Sequence, residues 1–474
     1  MKKRAAILSI LLFLGVDSYC ENSEIKTITL KEAIDTALSR NKTRLMTKTS
    51  LEIAKALHKQ ALSARYPSLD LSLSAVRKDK DPSFLLKGDV ELPQNLSNAL
   101  ALATATTPNQ REQIMQAIKA GTLPKQKIPL DMDIKLADRD ILTGSLNLRY
   151  PIYTGGKVSS LIKESELGVL NAKKDLIKNE DEIRYLIKRY YYGALLAQNL
   201  KKVARDSEEK TKVICELTEK LYKGESMRVK KTDYLKCKLT LSLIKNAKEE
   251  TKEREKEAKA ALIYAMGEDY TKKIVLKEPE REEFKDDGLQ KTVKKAFEKN
   301  PLLQKLSIAE KIYEEKIKEA KSANLPQIAL FGEAKKIQSD FINDEDKNSW
   351  LIGVGAKLSL FNGFRTQNEI LEAKLKRKKI TLQKELYKEA LALKVKRAYF
   401  KLLRSKKQLD ILKKALKIAK ENRELNIRAY EQDLVETRDV LQAQIMETTT
   451  MKDYYLARYD YEISLAELER LLSL

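Results

Sequence analysis

Leu142-Thr-Gly-Ser-Leu-Asn-Leu-Arg-Tyr-Pro-Ile-Tyr-Thr-Gly-Gly-Lys157 changes its periodicity within sixteen residues. Leu142, Leu146, Leu148, Tyr150 and Ile152 alternate with Thr143, Ser145, Asn147 and Arg149, the pattern of a strand with one apolar face. Thr154-Gly-Gly then makes a turn, and no proline follows from Lys157 to about Gly224. About 68 residues at 1.5 Å each give roughly 100 Å of helix. A short one-sided strand feeding a helix of that length is not the plan of a compact domain.

The junction occurs twice. Ile152-Tyr-Thr-Gly155-Gly-Lys157 returns as Leu360-Phe-Asn-Gly363-Phe-Arg365, an offset of 208 that also aligns Tyr191 with Tyr399 and Tyr222 with Tyr430. Upstream the offset is 259. It aligns Leu30-Lys-Glu-Ala-Ile-Asp-Thr-Ala-Leu-Ser-Arg-Asn41 with Leu289–Asn300, and Ala64-Arg-Tyr-Pro67 with Ala323-Asn-Leu-Pro326. The chain is therefore an internal duplication whose first half carries about 51 extra residues within 79–140. The first repeat runs over 21–266: helix 30–65, strands 69–78 and 141–152, insertion 79–140, and a long helical hairpin 157–266. A linker at 267–288 precedes the second repeat, 289–474: helix 289–324, strands 328–337 and 349–361, hairpin 365–472. The strands present Leu69, Leu71, Leu73 and Ala75 in the first half, and Trp350, Ile352, Val354 and Ala356 in the second. In the insertion, Gln94–Ala105 and Asn109–Ala120 read as helices.

Composition removes most other classes. Glycine and proline together are about 5% of the chain, against a usual 12% or so, which excludes a loop-rich or disordered protein. One histidine and three cysteines leave almost nothing from which to build a metal centre or a Ser-His-Asp triad, so the chain is not read as an enzyme and no cofactor is expected. Residues 1–20 read as a secretory signal: Lys2, Lys3 and Arg4, an apolar run from Ala5 to Val16, then Ser18 and Cys20 before a cut at Glu21. Acylation of Cys20 is the alternative, although Tyr19 is bulky for the position before a lipidated cysteine. A cut there leaves the chain at +21. No later segment is apolar for the 18–20 or so residues of a spanning helix. A β-barrel is the membrane structure that such a survey misses.

Each strand has about the length and alternation of a membrane strand, but four strands cannot close a barrel, since known ones start at about eight. Three copies supply twelve strands and twelve helical passes, the helices pairing as antiparallel coiled coils.

On these residues the chain resembles the TolC family of outer-membrane channel proteins. The resemblance covers 25–474 and rests on Leu-x-Glu-Ala-(x)3-Ala-Leu-(x)2-Asn at 30–41 with its echo at 289–301, Ala-(x)2-Pro-x-Leu-x-Leu at 64–71, and Tyr150–Lys157. Leu360–Arg365, and Tyr430 followed by Thr437-Arg-Asp439-Val-Leu441-Gln-Ala443, complete it. It implies a mainly α protein with a small β part. In a homotrimer, four strands per protomer form a 12-stranded barrel in outer-membrane lipid of a Gram-negative-type bacterium, continued by a coiled-coil α-barrel in the periplasm. It implies a passive exit duct for efflux or type I secretion, gated at its coiled-coil tips. The tips dock on a periplasmic adaptor and an inner-membrane pump of RND, ABC or MFS type. Carried over by position, Asp439 is the ring aspartate and Tyr430 with Asp233 a gate link. Asp433 and Glu436 would add carboxylates near the axis, and Gly224, Glu225, Leu434 and Val435 occupy the docking tips. Three departures bear on this: Gln442 stands where some members have a second acid, Asp433 replaces the usual turn glycine, and the first turn is two residues longer than the second. By the family's topology the insertion 79–140 is extracellular.

Other features keep two readings. Residues 374–417 hold 17 basic and 3 acidic residues, either a solvated outer face or a lining that favours anionic cargo. A nucleic-acid role is excluded by export. Cys215 and Cys237 lie eleven residues either side of Ser226 and either form a disulfide or sit buried and unpaired. Trp350 and Tyr150 mark the membrane strands, Trp350 either in an interfacial girdle or in plain packing. His58 is an ordinary helix residue. The rival from another class is a non-channel periplasmic or surface coiled-coil structural protein.

Overall fold

The computed structural model describes residues 26–224, 229–269, 271–280, 284–338, 347–432 and 434–474. The signal at 1–20, Glu225 and Asp433 lie outside the described residues. In chain order the elements are β1 (Lys26–Ile28), α1 (Leu30–Arg40), α2 (Lys42–Ser63), β2 (Ser68–Arg77) and β3 (Ser83–Glu91). Then come α3 (Gln94–Thr104), α4 (Pro108–Lys119), β4 (Lys127–Lys135), β5 (Asp140–Tyr153), α5 (Lys157–Lys223) and α6 (Lys231–Met266). β6 (Ile274–Leu276), α7 (Leu289–Lys299), α8 (Pro301–Ser322), β7 (Gln327–Gln338), β8 (Asn348–Lys357), α9 (Arg365–Glu431) and α10 (Thr437–Leu472) complete the chain. The duplication holds to the residue. α1 and α7 each have 11 residues, α2 and α8 22, α5 and α9 67, and α6 and α10 36.

Two compact units emerge, and they cut across the repeats: residues up to 59 with 162–317 and 371–474, and residues 60–161 with 318–370. Two of the cores in the first use the same seats. Ala37, Ile183, Ile187 and Leu262 are buried in one, and Ala296, Leu391, Val395 and Leu468, their repeat equivalents, in the other. The tyrosine pair shows how the seats diverge. Tyr191 is buried and donates toward the carbonyls of Ile28 at 2.9 Å and Lys277 at 2.5 Å, which ties down the parallel pair β1–β6. Burial pushes its phenol up to about 12. Tyr399 instead donates to Asp286 at 2.6 Å.

The helix expected over 30–65 is two helices, α1 and α2, and that over 289–324 is α7 and α8; the asparagine that closes each motif makes the break. Asn41 has φ −61° and ψ 121°, and its Oδ1 accepts the Thr43 amide at 2.9 Å. Asn300 accepts the Leu302 amide at 3.1 Å and precedes Pro301, which disfavours helical ψ at the residue before it. Each Nδ2 donates to a carbonyl in the last turn of the returning helix, Ala265 at 3.2 Å for Asn41 and Leu471 at 3.4 Å for Asn300. One side chain thus starts a helix and satisfies an orphan carbonyl at the end of another. Glu32 of the first motif is also a capping residue, accepting the Thr29 amide at 2.9 Å.

The second unit is an antiparallel sheet of order β2-β5-β7-β8. Leu71 pairs with Leu146, Leu146 with Ala334 and Ala334 with Trp350, so the main apolar rows of all four strands share one face, while Phe331 and Leu351 lie on the other. That face is exposed, Leu73 at 75% and Trp350 at 79%. Asn147, Glu333 and Lys335 lie on the other face. β8 stops at Lys357, short of the expected 361, because its partner β7 begins at Gln327 after Pro326. The insertion holds α3 and α4 where helices were expected, and also a two-stranded ribbon, β3 with β4, which alternation had not suggested. At the β5–α5 junction Gly155 has φ +62°, and a Cβ there would sit 2.7 Å from the Ser322 carbonyl oxygen.

Asn300→Ala removes the cap of α8 and the bond to Leu471 together. It is expected to cost about 1–2 kcal/mol, read as a lower urea midpoint of the detergent-extracted protein, whereas Asn300→Asp, which keeps the cap oxygen, loses less. An unchanged midpoint for Asn300→Ala contradicts the double role.

Candidate functional site

The residues singled out in the sequence converge where α5 ends and α6 begins, and where α9 ends and α10 begins. Asp233 and Asp439 are equivalent at an offset of 206 and play the same local part. Each is the third residue of its returning helix and accepts the amide of the residue before that helix, Lys230 or Glu436, at 3.2 Å. A carboxylate there satisfies an orphan donor and faces the positive end of the helix. Arg438 lies 3.8 Å from Asp439 and 3.9 Å from Glu436.

Tyr430 is buried. Its hydroxyl lies 2.9 Å from Thr437 Oγ1 and 3.4 Å from Thr218 Oγ1, so it joins α9 to α10 and both to α5. Among the described residues no hydrogen bond joins Tyr430 to Asp233 within one chain. Its repeat equivalent Tyr222 is instead stacked on Tyr234, with centroids 5.4 Å apart, and Lys238 lies over that second ring. The Lys223 ammonium, 2.8 Å from Glu219, holds that carboxyl below its ordinary value, helped by the Tyr234 hydroxyl. Ile214, Cys215, Cys237, Tyr430, Val440 and Leu441 form one small apolar core that the partly buried Val435 closes. Leu434 beside it is exposed. Gly224 ends α5 with its amide on the Lys220 carbonyl at 2.9 Å.

Cys215 and Cys237 are bonded, with Cα atoms 5.4 Å apart. Their repeat equivalents are Arg423 and Ala443, so the second hairpin has no such link at that level. It has an ion cluster. Glu447 on α10, only 3% exposed, takes Lys210 of α5 at 3.0 Å and Arg423 of α9 at 2.7 Å. Around it Ser207 meets Thr448 at 3.0 Å and Gln444 donates to Thr448 at 3.1 Å. Nothing in the sequence marks this group. Lys210 and Glu447 are 237 residues apart, and the glutamate sits in an unremarkable Met446-Glu-Thr-Thr-Thr run.

The remaining residues lie in the sheet unit: Trp350 in β8 and Tyr150 in β5, both exposed on the apolar face. Among the described residues no group of three or more His, Cys, Asp or Glu side chains is placed to hold a metal ion. The chemistry available is that of a tethered, charged helical tip.

Glu447→Gln leaves two cations facing a neutral amide and is expected to cost about 3–5 kcal/mol. The triple change Glu447→Leu, Lys210→Met, Arg423→Met is expected to recover most of it. Thermal melts of the two variants give the comparison, and equal losses would contradict an ionic origin. Cys215→Ser opens a loop of sequence separation 22, for which chain entropy gives about 3 kcal/mol.

Residues 292–473 match the family model described as outer membrane efflux protein. No curated protein matches the chain in sequence. Among solved structures it is similar to the outer membrane protein VceC of Vibrio cholerae at TM-score 0.70 and 14% identity, over 94% of this chain and 96% of that one. It is similar to the CmeC outer membrane channel of Campylobacter jejuni at TM-score 0.70 and 16% identity, over 100% and 93%. The open state of the Neisseria gonorrhoeae MtrE outer membrane channel gives TM-score 0.69 and 14% identity, over 94% and 88%. Identities this low establish the fold. Residues 292–473 are thus similar to the outer membrane efflux proteins, and the whole chain has the fold of the outer-membrane channels it resembles.

Proposed function

We propose that three copies of this chain form an exit duct of the outer membrane, with a β-barrel in the lipid and a helical barrel in the periplasm. The observation that carries this is the four-stranded sheet. Its apolar face is exposed on β2, β5 and β8, and β2 and β8 each leave one edge without a partner among the described residues. In hydrocarbon such edges are not tolerated. Because neighbours alternate in direction, β8 and β2 run antiparallel, so a second copy continues the ladder without breaking its alternation, and twelve strands close it.

The duct is gated at the hairpin tips. Asp439, Asp233 and Glu436, repeated by threefold symmetry, gather carboxylates about one axis, with Asp433 beside them in sequence; this favours cations at the mouth. Tyr430 holds the second hairpin's tip together through Thr437 and Thr218. Leu434, Val435 and Gly224, with Glu225 next in sequence, offer small and apolar surface to a periplasmic adaptor. That adaptor joins the duct to an inner-membrane pump, which supplies the energy.

Detergent-extracted outer membranes are expected to yield a species of three chains that forms cation-preferring channels in a planar bilayer. Asp439→Asn keeps the capping oxygen and removes the charge, so cation preference should fall while the fold survives. Tyr430→Phe should raise conductance. A salt-extractable, non-conducting monomer or dimer would leave only a structural coiled coil.

A further inference from the structure

The insertion is not a loop. β3 and β4 pair from Ser83↔Lys135 to Glu91↔Lys127, and the two faces of this ribbon differ, one apolar and the other mostly charged apart from Leu85 and Pro129. Phe84, Leu86 and Val90 pair with Ile134, Met132 and Ile128, and all six are exposed. The opposite face carries Lys87 against Asp131 and Lys127 against Glu91, at 3.9 and 3.5 Å.

The ladder shows which way the apolar face looks. The Lys78 amide bonds the Arg139 carbonyl, and the Leu136 amide bonds the Pro82 carbonyl. Between these two bonds the first strand passes three residues and the second only two. That extra residue transfers the face of Leu71, Leu73 and Ala75 to the even positions of β3, while β4 and β5 keep their even positions apolar throughout. The ribbon's apolar face is therefore on the same side as the apolar face of the sheet. The bulge is pinned: Asp81 accepts the Arg139 amide at 2.7 Å and lies 3.2 Å from Lys135. Bulges bend and twist a ribbon at such a point.

Ten residues of β2 already span an apolar band, so nine more residues of ribbon lie past it. A two-stranded ribbon in water, apolar on one side, is marginal by itself. A second, independent feature sits at its far end. Residues 92–110 contain no charged side chain in a chain that is 34% charged, and they include α3 with Leu96 exposed.

We propose that the insertion is a membrane-surface arm. It turns outward at 79–82, so that its lipid-side face, Phe84, Leu86, Met132 and Ile134 among it, lies on the acyl region of the outer leaflet while Lys87 and Asp131 face water. This rests on the outer-membrane reading, and the test separates the two. The chain has one tryptophan, Trp350, on the sheet's lipid face. The protein is reconstituted in phosphatidylcholine vesicles with brominated acyl chains, and tryptophan quenching is measured for the natural chain. The same is done for Phe84→Trp, Met132→Trp and Lys87→Trp, each with Trp350→Phe. Quenching of the tryptophans at 84 and 132 to at least half the extent of Trp350, with little at 87, is the expected result. Quenching of Trp350 but not of those at 84 and 132 overturns the arm and leaves the duct intact. Quenching at none of the four positions overturns the membrane reading itself. Disulfide cross-linking of Phe84→Cys between copies in place of quenching assigns the face to a second copy and likewise overturns the arm.

Discussion

A backbone amide in hydrocarbon has no water to turn to, so every edge of a membrane sheet must be paired. This protomer offers four strands, of which the outer two each present an open row of amides and carbonyls, and that one deficit propagates through the molecule. On the proposed duct reading it calls for further copies, and a closed ring of them would set two helical hairpins around the axis for every four strands. The compact units do not follow the gene duplication: each is built from segments of both repeats.

Duplication gives both halves the same skeleton and leaves the joints free to differ. Asn41 and Asn300 perform one job in identical positions, because helix ends create the same orphan groups wherever they occur. Asp233 and Asp439 are likewise fixed by capping. The tips show the contrary case. Where the first hairpin has a covalent bond between α5 and α6, the equivalent place in the second has Arg423 reaching Glu447. A disulfide holds two helices independently of solvent, whereas an ion cluster holds only while its charges remain paired. The first hairpin is therefore the stiffer at that level, and a difference of this kind follows directly from two residue pairs.

Much of this was legible in the sequence, and the reason is periodicity. Strand alternation, helix length and internal offsets are local properties, so Leu69–Ala75, Lys157–Gly224 and the repeats could be read without partners. The break at Asn41 was not read, because a helix pattern runs through it and only the carbonyl of Ala265, 224 residues away, accounts for the asparagine. The ribbon was missed because its strands are interrupted by Gly88 and Pro129, which punctuate the alternation. The Lys210–Glu447–Arg423 cluster has no signature at all: three ordinary charged residues on three helices meet only after folding. Asp233 and Asp439 stand out in the sequence as gate residues, and the structure adds that each of these two has a local capping duty. A change there alters helix initiation as well as charge.

The basic stretch 374–417 shows how packing redistributes a composition. Arg377 and Lys384 reach Glu314 and Glu310 of α8 at 2.7 and 3.0 Å, and Lys401 reaches Glu467 of α10 at 3.0 Å, so part of the excess serves to fasten α9 to its neighbours. Lys378, Lys396, Lys407 and Lys414 make no ion pair among the described residues. They recur at spacings of 18, 11 and 7, multiples of the helical repeat, and so share one side of α9. That side lies away from the buried row of Leu391, Val395 and Leu402. Lys379, Lys394, Arg397 and Arg404 make no ion pair among the described residues either, and they lie on other sides of α9, so the unmatched charge is spread around the helix and not confined to one row. Charge that the protomer leaves unmatched is balanced from outside it, by counter-ions or by a neighbouring surface.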